Sequence, residues 1–137
     1  MADETTTIAA LRERWRKFVA EREWNRFHSA KNLSMALAAE AAELMELFLW
    51  VDSAESDALA RGERLQATRD EVADIAGVLL AFCNALDIDL SQAILDKMAK
   101  NEAKYPADKI RGQWRILPEK QGRSEGSQGG SNAGGGL

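Results

Sequence analysis

The chain has 137 residues, a formal net charge of −4 and a pI near 5.1. That length suits one domain with a single core, and the acidic balance argues against broad binding to a nucleic acid polymer. No stretch approaches the ~20 apolar residues of a membrane span, and Met1-Ala2-Asp3-Glu4 is not followed by the apolar core of a signal peptide. The lone cysteine, Cys83, stands among Leu79, Leu80, Phe82 and Leu86 and reads as a small buried residue. A reducing, cytoplasmic setting is therefore expected.

In chain order, Thr5 to Thr7 offer caps for a first helix. In it Ile8, Leu11, Trp15, Phe18 and Val19 recur at helical spacing up to about Glu23, with Trp15 in the core. Trp24 to Asn32 lacks periodicity and reads as an ordered loop. A second helix is expected from about Leu33 to Trp50, and a polar loop or turn over Asp52 to Asp57. A third helix runs from about Arg61 or Glu63 to Leu86, with a stripe of Leu65, Val72, Ile75, Leu79, Phe82 and Leu86. Gly77 inside it costs about 1 kcal/mol against Ala, and close helix packing would explain it. Asp87-Ile88-Asp89 breaks the chain. Asp89 with Gln92 is a capping box for a fourth helix, which Pro106 stops after Lys104. No strand-like alternation stands out. The expected fold is all-α, four main helices in a bundle, over residues 1–118. From Glu119 to Leu137 the Gly/Ser-rich tail has too little apolar surface to order itself. The Ala and Leu surface of the second helix suggests a second subunit.

Two acidic pairs stand out. Leu33, Leu37, Leu44 and Leu47 form an apolar stripe in which Glu40 sits near the middle and Glu43 on the flank; Glu46 points away. An unpaired carboxylate on a core face is costly, and no Lys or Arg at 36, 37, 43 or 44 compensates it. Glu71 and Asp74, three apart, share a face of the third helix. If the two helices run antiparallel, four carboxylates converge, and a hard cation such as Mg²⁺ or Mn²⁺ relieves their repulsion. The plainer reading is two solvated acidic faces. Zinc is not expected, because His28 is the only histidine. The same absence removes a di-iron bundle, which needs a Glu-x-x-His motif on two helices.

Further polar and aromatic residues have two readings each. Lys97, Lys100, Asn101 and Lys104 form one stripe of the fourth helix, with Tyr105 after it; this is either a solvated basic face or a phosphate-binding strip. Lys31 and Asn32, at the start of the second helix, would add to that strip, since a helix N-terminus favours anions. Trp24 and Trp50 either close one end of the bundle or stack on a nucleobase. His28 is either structural or a hydrogen-bonding partner of a ligand.

Glu40-x-x-Glu43 with Glu71-x-x-Asp74 resembles the signature of the MazG-like, all-α nucleoside triphosphate pyrophosphohydrolases. Three further segments, Trp24 to Leu33, Glu43 to Trp50 and Lys97 to Pro106, look like the dCTP pyrophosphatase branch. The likeness covers about residues 6–112. Many members carry an extra Glu directly before the first motif acid; Ala39 stands there, as fits the dCTP branch. The resemblance implies Mg²⁺-dependent hydrolysis of a nucleoside triphosphate, dCTP or a modified dCTP, to the monophosphate and pyrophosphate. It also implies a house-cleaning role in the nucleotide pool and a homodimer or homotetramer. Under it, Glu40, Glu43, Glu71 and Asp74 hold the metal and carry catalysis. Lys31, Asn32, Lys97, Asn101, Lys104 and Tyr105 bind the substrate's phosphates and their surroundings, and Trp24, His28 and Trp50 surround base and sugar. The alternatives are a relative acting on dUTP or another nucleotide, and a non-catalytic helical interaction module.

Overall fold

The computed structural model describes residues 1–112; the tail expected from Glu119 lies outside them. Among the described residues all regular structure is helical. The helices are α1 (Ile8–Glu21), α2 (Ala30–Glu46), α3 (Ser53–Arg61), α4 (Leu65–Ala85), α5 (Leu90–Lys104) and α6 (Ala107–Ile110), with short 3₁₀ turns at Ala2–Glu4 and Trp24–Phe27. The chain divides into two compact units, Met1–Lys97 and the segment from Met98 onward.

Local chemistry sets most helix ends. Thr7 caps α1, its hydroxyl accepting from the Ala10 N–H at 3.1 Å. The loop expected up to Asn32 ends earlier than the periodicity suggests. Ser29 is the N-cap of α2 and its Oγ accepts from the Asn32 N–H at 3.2 Å. At the other end α2 stops at Glu46 rather than Trp50, where the backbone turns into the left-handed region at Trp50, φ 64°. The segment expected as a loop over Asp52 to Asp57 is instead the start of α3. Its polar first turn hides the helix, whereas Leu59 and Ala60 give it an inner side that packs on α4. Only half of the expected Asp89–Gln92 box forms. The Gln92 N–H donates to Asp89 Oδ1 at 2.9 Å, but the Gln92 amide reaches forward to Asp96 at 2.8 Å. Lys104 ends α5 before Pro106, as expected.

Within the first unit, α2 packs most extensively on α4, and α1 packs on α4 beside it. The buried residues are Val19 of α1, Leu33 of α2, and Gly77, Leu80, Ala81 and Cys83 of α4. Trp15 is half-buried. Its indole lies directly over Gly77, so that a Cβ there would overlap Cζ2, Cε2 and Cη2 of the ring. This contact accounts for a glycine in mid-helix. The expected α4 stripe is covered unevenly. Ile75, Leu79 and Phe82 are half-buried, whereas Leu65, Val72 and Leu86 are exposed, Val72 by 51%. Among the described residues, too few neighbours stand at the start of α4 to cover Leu65 and Val72.

Candidate metal centre and adjoining cavity

Leu33 and Ala36 of α2 meet Val78 and Ala81 of α4 around one cavity, while Leu44 and Phe48 meet Val72 and Thr68 around another. Rising residue number on one helix matches falling number on the other, so α2 and α4 run antiparallel. Between these two levels lie the acids. Carboxylate oxygens of Glu40, Glu43 and Glu71 all fall within 4.8 Å of one another. Glu40 and Glu71 are half-buried and Glu43 is exposed. Asp74, exposed on the next turn of α4, is close enough to act on both half-buried acids.

Burial raises the pKa of Glu40 above the usual carboxylate value, and the charges of Glu43 and Asp74 add to the rise. Glu71 is raised in the same direction, by loss of water first and then by Glu43, Asp74, Glu40 and Asp70. Among the described residues no Lys or Arg forms an ion pair with any of the four acids. Glu71 Oε2 is shut off from solvent and has no hydrogen-bond partner. A buried acceptor left without a donor is expensive. An all-carboxylate set with one orphaned oxygen fits a hard divalent cation and offers no nitrogen or sulfur for zinc.

Glu40 and Asp74 also line a cavity of about 310 Å³. Its remaining wall is largely apolar and aromatic, with Trp15, Phe18, Trp24, His28, Leu33 and Val78 prominent. Phe18 stands edge-on to both Trp15 and Trp24, at centroid distances of 5.4 and 5.9 Å. Of the expected Trp24, His28 and Trp50, the first two thus line the cavity beside the acids, carried there by the 3₁₀ turn between α1 and α2. Trp15 and Phe18 join them; they read from the sequence only as core residues of α1, and nothing local distinguishes a core aromatic from a cavity wall.

Other expected site residues lie elsewhere. Trp50 is 94% exposed and lines a separate hollow with Ala42, Met45, Glu46, Phe48 and Leu49. The structure does not bring it to Trp24. Its left-handed backbone, rare for a bulky residue, was not legible in the sequence. Asn32 is committed locally, its Nδ2 donating to the Phe27 carbonyl at 2.9 Å, and Lys31 is exposed beside it. Lys97, Asn101 and Lys104 are exposed along α5, and the Lys104 ammonium sits 5.2 Å from the Tyr105 ring centroid.

The chain is similar to several known proteins. The dCTP pyrophosphatase 1 of Bos taurus is 38% identical over 107 residues, which is 77% of this chain and 63% of that one. The dCTP pyrophosphatase 1 of Homo sapiens is 36% identical over 114 residues, 82% of this chain and 67% of that one. The chain thus spans 63% to 67% of the length of these curated relatives. The crystal structure of a pyrophosphatase from Archaeoglobus fulgidus superposes with a TM-score of 0.66 at 35% identity, covering 69% of this chain and 87% of that one. Residues 35–114, which include all four acids, match the family model described as MazG-like. The chain belongs to the MazG-like family.

Proposed function

We propose that this protein hydrolyses a deoxynucleoside triphosphate between its α and β phosphates, with dCTP preferred, and that it requires Mg²⁺ or Mn²⁺. One observation carries the reading: Glu40 belongs both to the carboxylate cluster and to the wall of the aromatic cavity. A triphosphate held at the cluster would therefore have its base beside Trp15, Trp24 and His28. The family and the relatives named dCTP pyrophosphatase support the same reading.

Glu40, Glu43, Glu71 and Asp74 would hold the cation. When bound, it supplies positive charge to the phosphoryl oxygens and acidifies water in its shell. Glu43, the most accessible of the three clustered glutamates, would orient the attacking water and take its proton. Water adds to the α phosphorus, the bond to the bridging α–β oxygen breaks, and pyrophosphate leaves. Trp24 and Trp15 offer faces on which a base can stack, worth about 1–3 kcal/mol per base. Stacking tolerates any base, so preference must come from cavity shape and hydrogen bonds. Lys97, Asn101 and Lys104, exposed along one stripe of α5, would bind the phosphates. The exposed apolar side chains Met45, Leu49 and Val72 support assembly into a dimer or tetramer.

The test is a panel of canonical and modified nucleoside triphosphates, run with Mg²⁺, Mn²⁺ or chelator, with pyrophosphate and inorganic phosphate measured separately. We expect dCTP to give dCMP and pyrophosphate in the presence of metal only. Release of single phosphates, or no turnover of any triphosphate, would overturn the assignment.

A further inference from the structure

A second cavity, of about 230 Å³, adjoins the aromatic one along a shared wall of Trp15, Val19, His28 and Ala81. Its far side is polar, formed by Arg16 of α1, Asn25 of the 3₁₀ turn and Asn84 of α4. Asn84 is fixed in place. Its Oδ1 accepts from Arg12 Nε at 2.9 Å, and its Nδ2 donates to the Arg12 carbonyl at 2.9 Å. Arg12 is held in turn by the Cys83 carbonyl at 3.3 Å. The same Asn84 oxygen accepts from Arg16 at 3.4 Å, and Arg16 also pairs with Glu13. The guanidinium of Arg16, whose side chain is 53% exposed, thus hydrogen-bonds at two of its corners while its side chain borders the cavity. A guanidinium has five N–H donors and no acceptor, so these two anchors leave donors over. The side chains of Asn25 and His28 have no hydrogen-bond partner among the described residues.

We propose that Arg16 is a specificity-determining residue that reads the hydrogen-bonding edge of a pyrimidine base and selects cytosine over uracil and thymine. The inference rests on the proposed nucleotide site for its orientation. With the phosphates at Glu40 and Asp74 and the ring among the aromatics, the base edge remote from the acids faces the polar cavity. A donor-only group must meet an acceptor there. Cytosine presents N3 and O2 as adjacent acceptors, whereas uracil and thymine carry a hydrogen on N3. Setting that N–H against the guanidinium leaves two donors facing each other, a mismatch that discriminates between otherwise similar substrates once the bound base excludes water from the contact. Asn25 can present either its oxygen or its amide, so the selection falls to Arg16.

The test uses Arg16→Gln, which replaces a donor-only group with one that both donates and accepts. Lys17→Gln, on the same helix and exposed, controls for loss of one positive charge. Two readouts are taken: the ratio of kcat/KM for dCTP against dUTP with Mg²⁺, and binding of dCMP against dUMP, also with Mg²⁺, by quenching of tryptophan fluorescence. Arg16→Gln should lower the dCTP/dUTP ratio at least ~10-fold and narrow the dCMP/dUMP affinity ratio in step, while Lys17→Gln leaves both ratios unchanged. A parallel fall for both nucleotides, or ratios unmoved in Arg16→Gln, overturns the inference and leaves the hydrolase assignment standing. A wild type that cleaves no triphosphate overturns the hydrolase assignment; the binding ratios then decide the inference, which falls if they do not move.

Discussion

From Gly77 to Cys83, α4 turns Gly77, Leu80, Ala81 and Cys83 into the interior, and Trp15 closes over the glycine. Two turns earlier the same helix carries Glu71, with an oxygen shut off from both water and donors, beside Asp74 and a Val72 that is 51% exposed. The C-terminal half is packed and carries no charged residue. The N-terminal half gathers charge that nothing in the described chain neutralises. A helix with both characters separates what holds the fold from what is poised for a ligand, and substitutions in the two halves should therefore fail in different ways.

The largest effect is expected where charge gathers. Glu40→Gln keeps the shape of the side chain and removes one carboxylate from the cluster. Turnover of the preferred triphosphate should fall at least ~100-fold, about 2.7 kcal/mol in barrier. Thermal stability without metal should be unchanged or higher, because a source of repulsion has gone. Near-normal turnover in a folded Glu40→Gln protein would remove the metal centre from consideration. At the aromatic wall, Trp24→Ala should weaken nucleotide binding about 10-fold, within the 1–3 kcal/mol range for a base on an aromatic face. Calorimetric titration with a pyrimidine monophosphate reads this directly, and unchanged affinity would place the base elsewhere.

The packed half should fail in stability instead. Ala for Gly in a helix normally gains about 1 kcal/mol. Here the new Cβ meets the Trp15 indole, and overpacking costs about 1–3 kcal/mol. Gly77→Ala is therefore expected to lose about 1 kcal/mol net, a few degrees in Tm for a domain of this size. Adding Trp15→Leu should recover the difference, a coupling that a double-mutant cycle measures. Independent effects of the two substitutions would mean that the ring does not rest on the glycine.

These two halves were unequally legible in the sequence. Period 3.6 marks α1 and α4 and sets Glu40 inside an apolar stripe, where an unpaired carboxylate is conspicuous. Capping chemistry marked Thr7 and Asp89. Asp52 and Glu55 carry the spacing of a capping box before α3, a signal outweighed by the polarity of the turn that follows. What was not legible depends on residues far apart in the chain. That Trp15 covers Gly77, and that Arg16 and Asn84 meet at the end of a cavity, follows only once α1 is laid on α4. Trp50 illustrates the converse: it is expected at the end of the acid-bearing helix, facing a base, but α2 ends at Glu46 and Trp50, in the left-handed region, lines a different hollow.

The smallest and most specific effect concerns protons. Glu40 and Glu71 have native pKa values raised above the 4.5 of an ordinary glutamate, chiefly because each loses water and then because Glu43 and Asp74 lie near. In the metal-free protein the native state thus binds protons more tightly than the unfolded chain at these two sites. Their contribution favours folding below pH 4.5, and it is lost as pH rises through the raised native values. Other carboxylates titrate in the same region, so the informative quantity is a difference. The stability of wild type relative to Glu40→Gln/Glu71→Gln, from urea unfolding in chelator, should fall as pH climbs from about 4.5 toward neutrality. Excess Mg²⁺ should reverse that slope, because a cation that binds only the ionised cluster stabilises the native state more as protons leave. Asp74→Asn should blunt the Mg²⁺ effect while leaving the metal-free slope in place, though shallower. A difference that is flat with pH in chelator would mean that the two glutamates are fully hydrated in solution, and the cluster would then be an ordinary acidic surface.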